Sequence, residues 1–157
     1  MPENKNLDTY WKIFFHDYMD SSWKKESYEP LGTINNIIDF WTIFSVLKDK
    51  LSCGMFFFMK EQTFPKWDEE NIEYNFLTIK VLKTNLVQYA EDILIQLLSE
   101  NLIKENEDIV KGISLSPKKN FCIIKIWIQS TDPYYENKEL FNIPESYYGD
   151  ILFKKCS

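Results

Sequence analysis

The chain has 157 residues, 45% of them hydrophobic, which fits one compact domain with a real core and leaves no room for a second full one. The formal net charge is −6 and all 18 basic residues are lysines. This argues against sequence-independent binding along a phosphate backbone and rules out a bidentate guanidinium clamp on phosphate. No apolar run approaches the roughly 18 residues that span a bilayer, and the N-terminus lacks the apolar stretch of a secretory signal. A soluble protein of the cytoplasm, with the nucleus as a further compartment and no membrane partner, is expected. Cys53, Cys122 and Cys156 are odd in number and widely spaced, so reduced, structural thiols are expected in place of a disulfide framework or a CxxC metal site.

In chain order, residues 1–8 are expected to form a short flexible segment, followed by a single domain over residues 9–157. Tyr10 to His16 are aromatic and β-branched and predict a first strand. Ile34, Ile37, Ile38, Trp41, Phe44 and Leu47 recur at spacings of three and four, the pattern of an amphipathic helix entered near Thr33, with Ile38, Phe44 and Leu47 facing inward. Met55 to Lys60 is a short apolar run and Tyr74 to Leu82 alternates into another strand, so Trp67 falls on the connection between two strands. Leu86, Tyr89, Ala90, Ile93, Leu94, Leu97 and Leu98 predict a second amphipathic helix ending near Asn101. Gly112 to Leu115 and Phe121 to Ile128 predict a hairpin with the basic turn Ser116-Pro-Lys-Lys-Asn. Pro133 to Ser146 is polar, aromatic and aperiodic, and Ile151-Leu-Phe can close the sheet as a last short strand.

Two tryptophans stand out from this pattern. Trp23 lies in Asp20-Ser-Ser-Trp-Lys-Lys and Trp67 in Pro65-Lys-Trp-Asp-Glu-Glu, both polar stretches between hydrophobic segments. A lone tryptophan is ordinarily a packed side chain with a polar tip, but two in polar loops suggest a flat ligand. A cationic aromatic ring between two indoles gains cation–π attraction of roughly 0.5 to 2 kcal/mol beyond stacking. The carboxylate that follows Trp67 can accept hydrogen bonds from a guanine edge, so the set describes a receptor for 7-methylguanine. Asp68, Glu69 and Glu70 taken without Trp67 would read as a solvated acidic run. No catalytic constellation competes. His16, the only histidine, sits in an aromatic strand without a nucleophile or orienting carboxylate in a recognisable motif, which excludes a multi-histidine metal centre or triad. With four glycines there is no P-loop. Binding without catalysis, metal or cofactor is expected.

The ordered set of motifs resembles the eukaryotic translation initiation factor 4E family, which binds the messenger RNA cap. Trp11-Lys-Ile-Phe-Phe-His-Asp is similar to that family's first strand, and Ser22-Trp23 to its first cap-stacking position. Ile37-Ile-Asp-Phe-Trp resembles the family's Val-Glu-Asp-Phe-Trp helix segment, Pro65-Lys-Trp67-Asp68 its Pro-x-Trp-Glu element, and Ile124-Lys-Ile-Trp127 its later Ile-x-Ile-Trp strand. The matches run in order from about residue 10 to about residue 130.

The resemblance implies an α+β fold: a curved antiparallel β-sheet backed by about three helices, with the cap in the concave face and a scaffold-protein helix on the back. Trp23 and Trp67 would sandwich the methylated base, with Trp127 near the methyl group and the Trp67 backbone N–H on O6. Asp68 would accept from N1 and N2 where the family has Glu, with Glu69 as the alternative acceptor. Ser116 and Asn75 stand at the family's phosphate-binding arginine positions. Lys118 and Lys119 in the basic turn are the candidate phosphate ligands, against the plainer reading that they solubilise a turn; Lys80 and Lys125 are further candidates if they face the cleft. Ile37, Trp41, Glu91 and Leu94 would engage a scaffold initiation factor or binding protein through its Tyr-x-x-x-x-Leu-hydrophobic helix, although Trp41 can equally be core. The family's His-Pro-Leu element reads Lys5-Asn6-Leu7 here. The implied partners are therefore capped messenger RNA and a scaffold that starts translation, with the protein monomeric outside that complex. Two alternatives stay open: a divergent translational repressor, and an interaction module that has lost the cap site.

Overall fold

The computed structural model describes residues 6–17, 19–22, 24–65 and 74–155. In chain order they form β1 (Asn6–His16), β2 (Glu29–Asn36), α1 (Ile37–Leu47), β3 (Met55–Lys60), β4 (Asn75–Leu82), α2 (Leu86–Leu98), β5 (Val110–Pro117), β6 (Phe121–Ile128) and β7 (Ile151–Lys155), joined in part by short 3-10 turns. The strands make one curved antiparallel sheet in the order β2-β1-β3-β5-β6-β4-β7. The β5–β6 hairpin is thus inserted between β3 and β4.

Three sequence expectations are corrected. Among the described residues there are two α-helices, not about three. The aperiodic tail instead folds into 3-10 turns at Pro133–Tyr135, Lys138–Leu140 and Glu145–Asp150. Asp132 and Asn137 accept from the backbone N–H two residues on, a local bond that favours turns over helix. The flexible segment expected over residues 1–8 is too long, because β1 already begins at Asn6, opposite Asn36 of β2. The first helix starts later than Thr33, which is a strand residue paired with Lys12. Its N-cap is Asn36, whose side chain accepts from Asp39 N–H at 2.8 Å, while Asp39 accepts from Asn35 N–H at 3.0 Å. Strand β2, which no sequence pattern predicts, carries Pro30 and Gly32; an edge strand tolerates them because its outer N–H groups need no partner.

Alternation along the strands divides the molecule into two apolar layers. On one face Ile13, Phe58, Leu77, Ile79, Ile124 and Ile126 meet Phe40, Phe44 and Leu47 of α1 and Ala90, Ile93, Leu94 and Leu97 of α2. Burial of each large aliphatic or aromatic side chain there contributes roughly 1.5–3 kcal/mol. The opposite face holds Phe14, Tyr28, Phe57, Met59, Tyr74, Phe76 and Trp127. Gly112 lets β5 run against β3. It has φ +154°, and a Cβ there would lie 2.4 Å from the carbonyl oxygen of Phe58. At the end of α2, Glu100 accepts from Thr9 Oγ1 at 2.7 Å and pairs with Lys60 at 3.4 Å, tying the helix to β1 and β3. Beside this pair, burial pushes the Glu107 carboxyl up to about 7, the Ile103 N–H and Lys60 offsetting only part of the effect.

Candidate functional site

Trp127 forms the floor of the aromatic face. It is 2% exposed, and its Nε1–H donates to Ser114 Oγ at 3.1 Å. Tyr74 and Phe76 stand edge-on to the indole with ring centroids at 5.1 Å, and Phe57 does so at 6.3 Å. Register explains this arrangement. Phe76 of β4 is directly opposite Trp127 on one side and Gly112 of β5 on the other, so the indole is flanked by a large ring and by a residue with no side chain. The small residue two places on, Ser114, supplies the acceptor.

Two connections meet at the edge of the same aromatic cluster. In the connection after β1, the buried His16 donates from Nε2 to the carbonyl of Ser22 at 2.7 Å, and Asp20 accepts from Ser22 N–H at 2.8 Å. The residue before Trp23 is therefore held from two sides. In the connection after β3, Phe64 lies edge-on to Tyr28 at 5.0 Å and to Phe14 at 5.4 Å, with Lys25 Nζ 5.7 Å from its ring centre. Residues just after Trp23 thus touch residues just before Trp67. Trp23, Trp67, Asp68 and the alternative acceptor Glu69 themselves lie outside the described residues. An open cavity of about 300 Å³ adjoins this contact between Thr63, Phe64, Tyr74, Lys111 and Gln129.

The lysines separate by position. Lys125 shares the Trp127 face, its Nζ 5.4 Å from the centre of Phe76, and Lys80 lies on the same face with its Nζ 4.5 Å from the centre of Phe121. Lys118 and Lys119 sit at the tip of the hairpin, where Lys118 N–H donates to Phe121 carbonyl at 2.7 Å. Of the two positions that stand where the family has arginine, Ser116 is on the Trp127 face. Asn75 is fully buried on the other, its amide donating to Glu136 at 3.2 Å. Among the described residues no group of three or more His, Cys, Asp or Glu is placed to hold a metal, and no helix is long and apolar enough to cross a membrane.

On the helical side, Leu7, Ile37, Phe40, Trp41, Ile95 and Leu98 line an apolar groove of about 190 Å³. Trp41 is 45% exposed, with its inner edge against Phe40 at 4.8 Å and Phe44 at 6.5 Å. Ile38, expected to face inward, is exposed. Leu94 is fully buried in the core and cannot present its side chain to a partner; Glu91 is half-buried. The groove takes Ile95 and Leu98 from α2 instead, a rotation of one residue around the helix that periodicity alone does not resolve. Ser114, Phe64 and the loop-anchoring role of His16 were not singled out from sequence. The alternation of β5, which puts Ser114 on the Gly112 face, was the available signal for the first of them.

A sequence model of the family described as eukaryotic initiation factor 4E matches residues 6–148. Comparison with curated proteins gives no match. The fold is similar to that of Ascaris suum eIF4E-3 in complex with the m7G cap, at TM-score 0.79 and 14% identity over 99% of this chain and 93% of that one. It is similar to C. elegans eIF4E-3 in complex with the 4E-binding protein Mextli and a cap analog, at TM-score 0.79 and 13% identity over 97% and 92%. A schistosome eIF4E complexed with m7GpppA and 4E-BP superimposes at TM-score 0.70 and 18% identity over 85% and 76%. At such identities the likeness to solved structures is one of fold.

Proposed function

Because the chain belongs to the eukaryotic initiation factor 4E family, we propose that it binds the 7-methylguanosine cap of messenger RNA on its aromatic face and recruits a scaffold factor through its helical face to start translation. The observation that carries this reading is the meeting of Phe64 with Tyr28 and Lys25 in the same aromatic cluster as Trp127, which draws together the segments that lead away from Trp23 and towards Trp67. Two solved relatives of the same fold hold a cap or cap analog, and a third holds m7GpppA.

The mechanism is selection by charge. Methylation makes guanine cationic, and only then do two indoles and the Asp68 carboxylate, or Glu69 in its place, all attract it. Each stacking indole contributes roughly 1–3 kcal/mol. Trp127, buried and hydrogen-bonded, serves as a rigid wall beside the methyl group. Lys125 and Lys80 offer point charges to the triphosphate along β6 and β4, without the planar fork of arginine. On the other side the groove between Ile37, Trp41, Ile95 and Leu98 suits the apolar anchors of a Tyr-x-x-x-x-Leu-hydrophobic helix. The protein acts as a monomer outside that complex.

Titration of intrinsic tryptophan fluorescence with 7-methyl-GTP, and with GTP in parallel, tests the cap site. Saturable quenching by the methylated nucleotide alone, nearly abolished in Trp23→Ala and Trp67→Ala and weakened in Asp68→Asn, is the expected result. Equal responses to the two nucleotides would remove the cap assignment and leave an interaction module.

A further inference from the structure

At the end of the sheet remote from the Trp67 connection, three segments enclose a cavity of about 440 Å³. It is lined by Ser52 from the segment leading into β3, Lys83 from the turn after β4, and Pro117, Lys118 and Lys119 from the β5–β6 hairpin. Among the described residues no acidic side chain lines it and no ion pair engages Lys83, Lys118 or Lys119. Three uncompensated lysines gathered around one cavity are notable in a chain of net charge −6. The buried thiol of Cys122 reports the same convergence. Burial raises its pKa, and Lys83 together with the Lys118 backbone N–H offsets part of that rise.

The position of this cavity relative to Trp127 sets what it can bind. The register of β4 against β6 places Phe76 beside Trp127, Thr78 beside Lys125 and Lys80 beside Ile123, with Leu82 and Phe121 closing the pair at the lysine-lined end. Trp127 and Phe121 lie six steps apart along the strand, about 20 Å at about 3.3 Å per residue. A triphosphate extending from a base held at Trp127 along this pair meets Lys125 and Lys80 first, and the hairpin tip lies further along the same path.

We infer that the cavity lined by Ser52, Lys83, Lys118 and Lys119 is a second anion site, which takes a backbone phosphate of the RNA chain beyond the cap triphosphate. The inference rests on the cap-binding reading for its polarity: the RNA leaves Trp127 along the β4–β6 pair and passes over the hairpin tip. Lys118 and Lys119 accordingly serve the RNA body, and the cap's own phosphates fall to Lys125 and Lys80. Ser52 adds a neutral hydroxyl donor that a phosphate oxygen accepts from.

The test compares m7GpppA with a capped RNA of six nucleotides, in the wild type, Lys83→Ala and Lys83→Arg, across a salt series. Lys83 is exposed and outside the cap site, so neither variant disturbs the core. The wild type is expected to bind the longer RNA more tightly. Lys83→Ala should lose about two- to five-fold of that gain, with m7GpppA affinity unchanged. The slope of log affinity against log salt for the longer RNA should fall by about 0.7, and Lys83→Arg should restore both. An affinity that does not rise with RNA length, a gain that survives Lys83→Ala, or an equal loss on m7GpppA would overturn the site. If m7GpppA does not bind at all, the cap reading has failed by itself. The uncapped six-nucleotide RNA then reads the cavity directly: Lys83-dependent binding would sustain the site and its absence would end it.

Discussion

Removing the acceptor beneath Trp127 isolates the feature on which the aromatic face depends. In Ser114→Ala the indole Nε1–H, buried with a side chain only 2% exposed, loses its partner at 3.1 Å and has no access to water. An unsatisfied buried donor costs about 1–3 kcal/mol, against a smaller loss when both partners are removed together. For a domain of this length each kcal/mol lowers Tm by about 2–4 °C, so a fall of roughly 2 to 12 °C is expected. Trp127→Phe removes the donor, so adding Ser114→Ala to that background should cost less than about 0.5 kcal/mol. Urea denaturation of the wild type, both single variants and the double variant closes the cycle. Equal costs of Ser114→Ala in the two backgrounds would refute the reasoning, because the serine hydroxyl would then act through something other than the indole.

Trp41→Ala is expected to abolish binding of a Tyr-x-x-x-x-Leu peptide in a pull-down, with 7-methyl-GTP affinity intact and stability lower by only about 1 kcal/mol, since the indole is half exposed; unfolding would instead make Trp41 a core residue. His16→Phe keeps a ring against Tyr28 but removes the donor to Ser22. It should cost about 1 kcal/mol of stability and weaken 7-methyl-GTP binding by loosening the Trp23 loop, while leaving peptide binding unchanged. Glu107 gives a pH effect whose sign follows from its raised pKa. The folded state holds the proton more tightly than the unfolded state, so the stabilisation is complete below about pH 4.5 and is lost as pH rises through about 7. Glu107→Gln should flatten the stability profile between those values in thermal melts. A wild-type profile that rises over that interval would contradict the assignment.

Where a bounded apolar run or a strong period marks an element, sequence and structure agree closely. Met55 to Lys60, Phe121 to Ile128, the second helix and the closing strand at Ile151 all appear where their patterns put them. The failures have physical causes. Strand β2 is an edge strand with a mostly exposed, polar sequence, so neither alternation nor apolarity marks it. The start of α1 was blurred because Ile34 of β2 continues the spacing of Ile37 and Ile38 by chance. In α1 and α2 the apolar residues exceed what the core can take, which left Ile38 and Ile95 on the surface and Leu94 inside. At the candidate site, the sequence pattern put Trp127 on a strand of a hairpin, whereas its bond to Ser114 required the exact register of β5 on β6. The facing of Lys125 and Lys80, left open by the sequence, follows directly from the register of β4 on β6.

The insertion of the β5–β6 hairpin between β3 and β4 also sets a timetable for synthesis. Strand β3, Met55–Lys60, is built almost wholly from phenylalanine and methionine, and its second neighbour emerges only after α2 has been made. Both neighbours of β4, namely β6 and β7, are also later in the chain. A nascent polypeptide that has reached α2 therefore carries one apolar strand with an open edge and another with two, the condition that invites intermolecular pairing. Chains ended before Val110 should be insoluble for this reason; completion of the hairpin closes β3 and one edge of β4, and the other edge of β4 waits for β7.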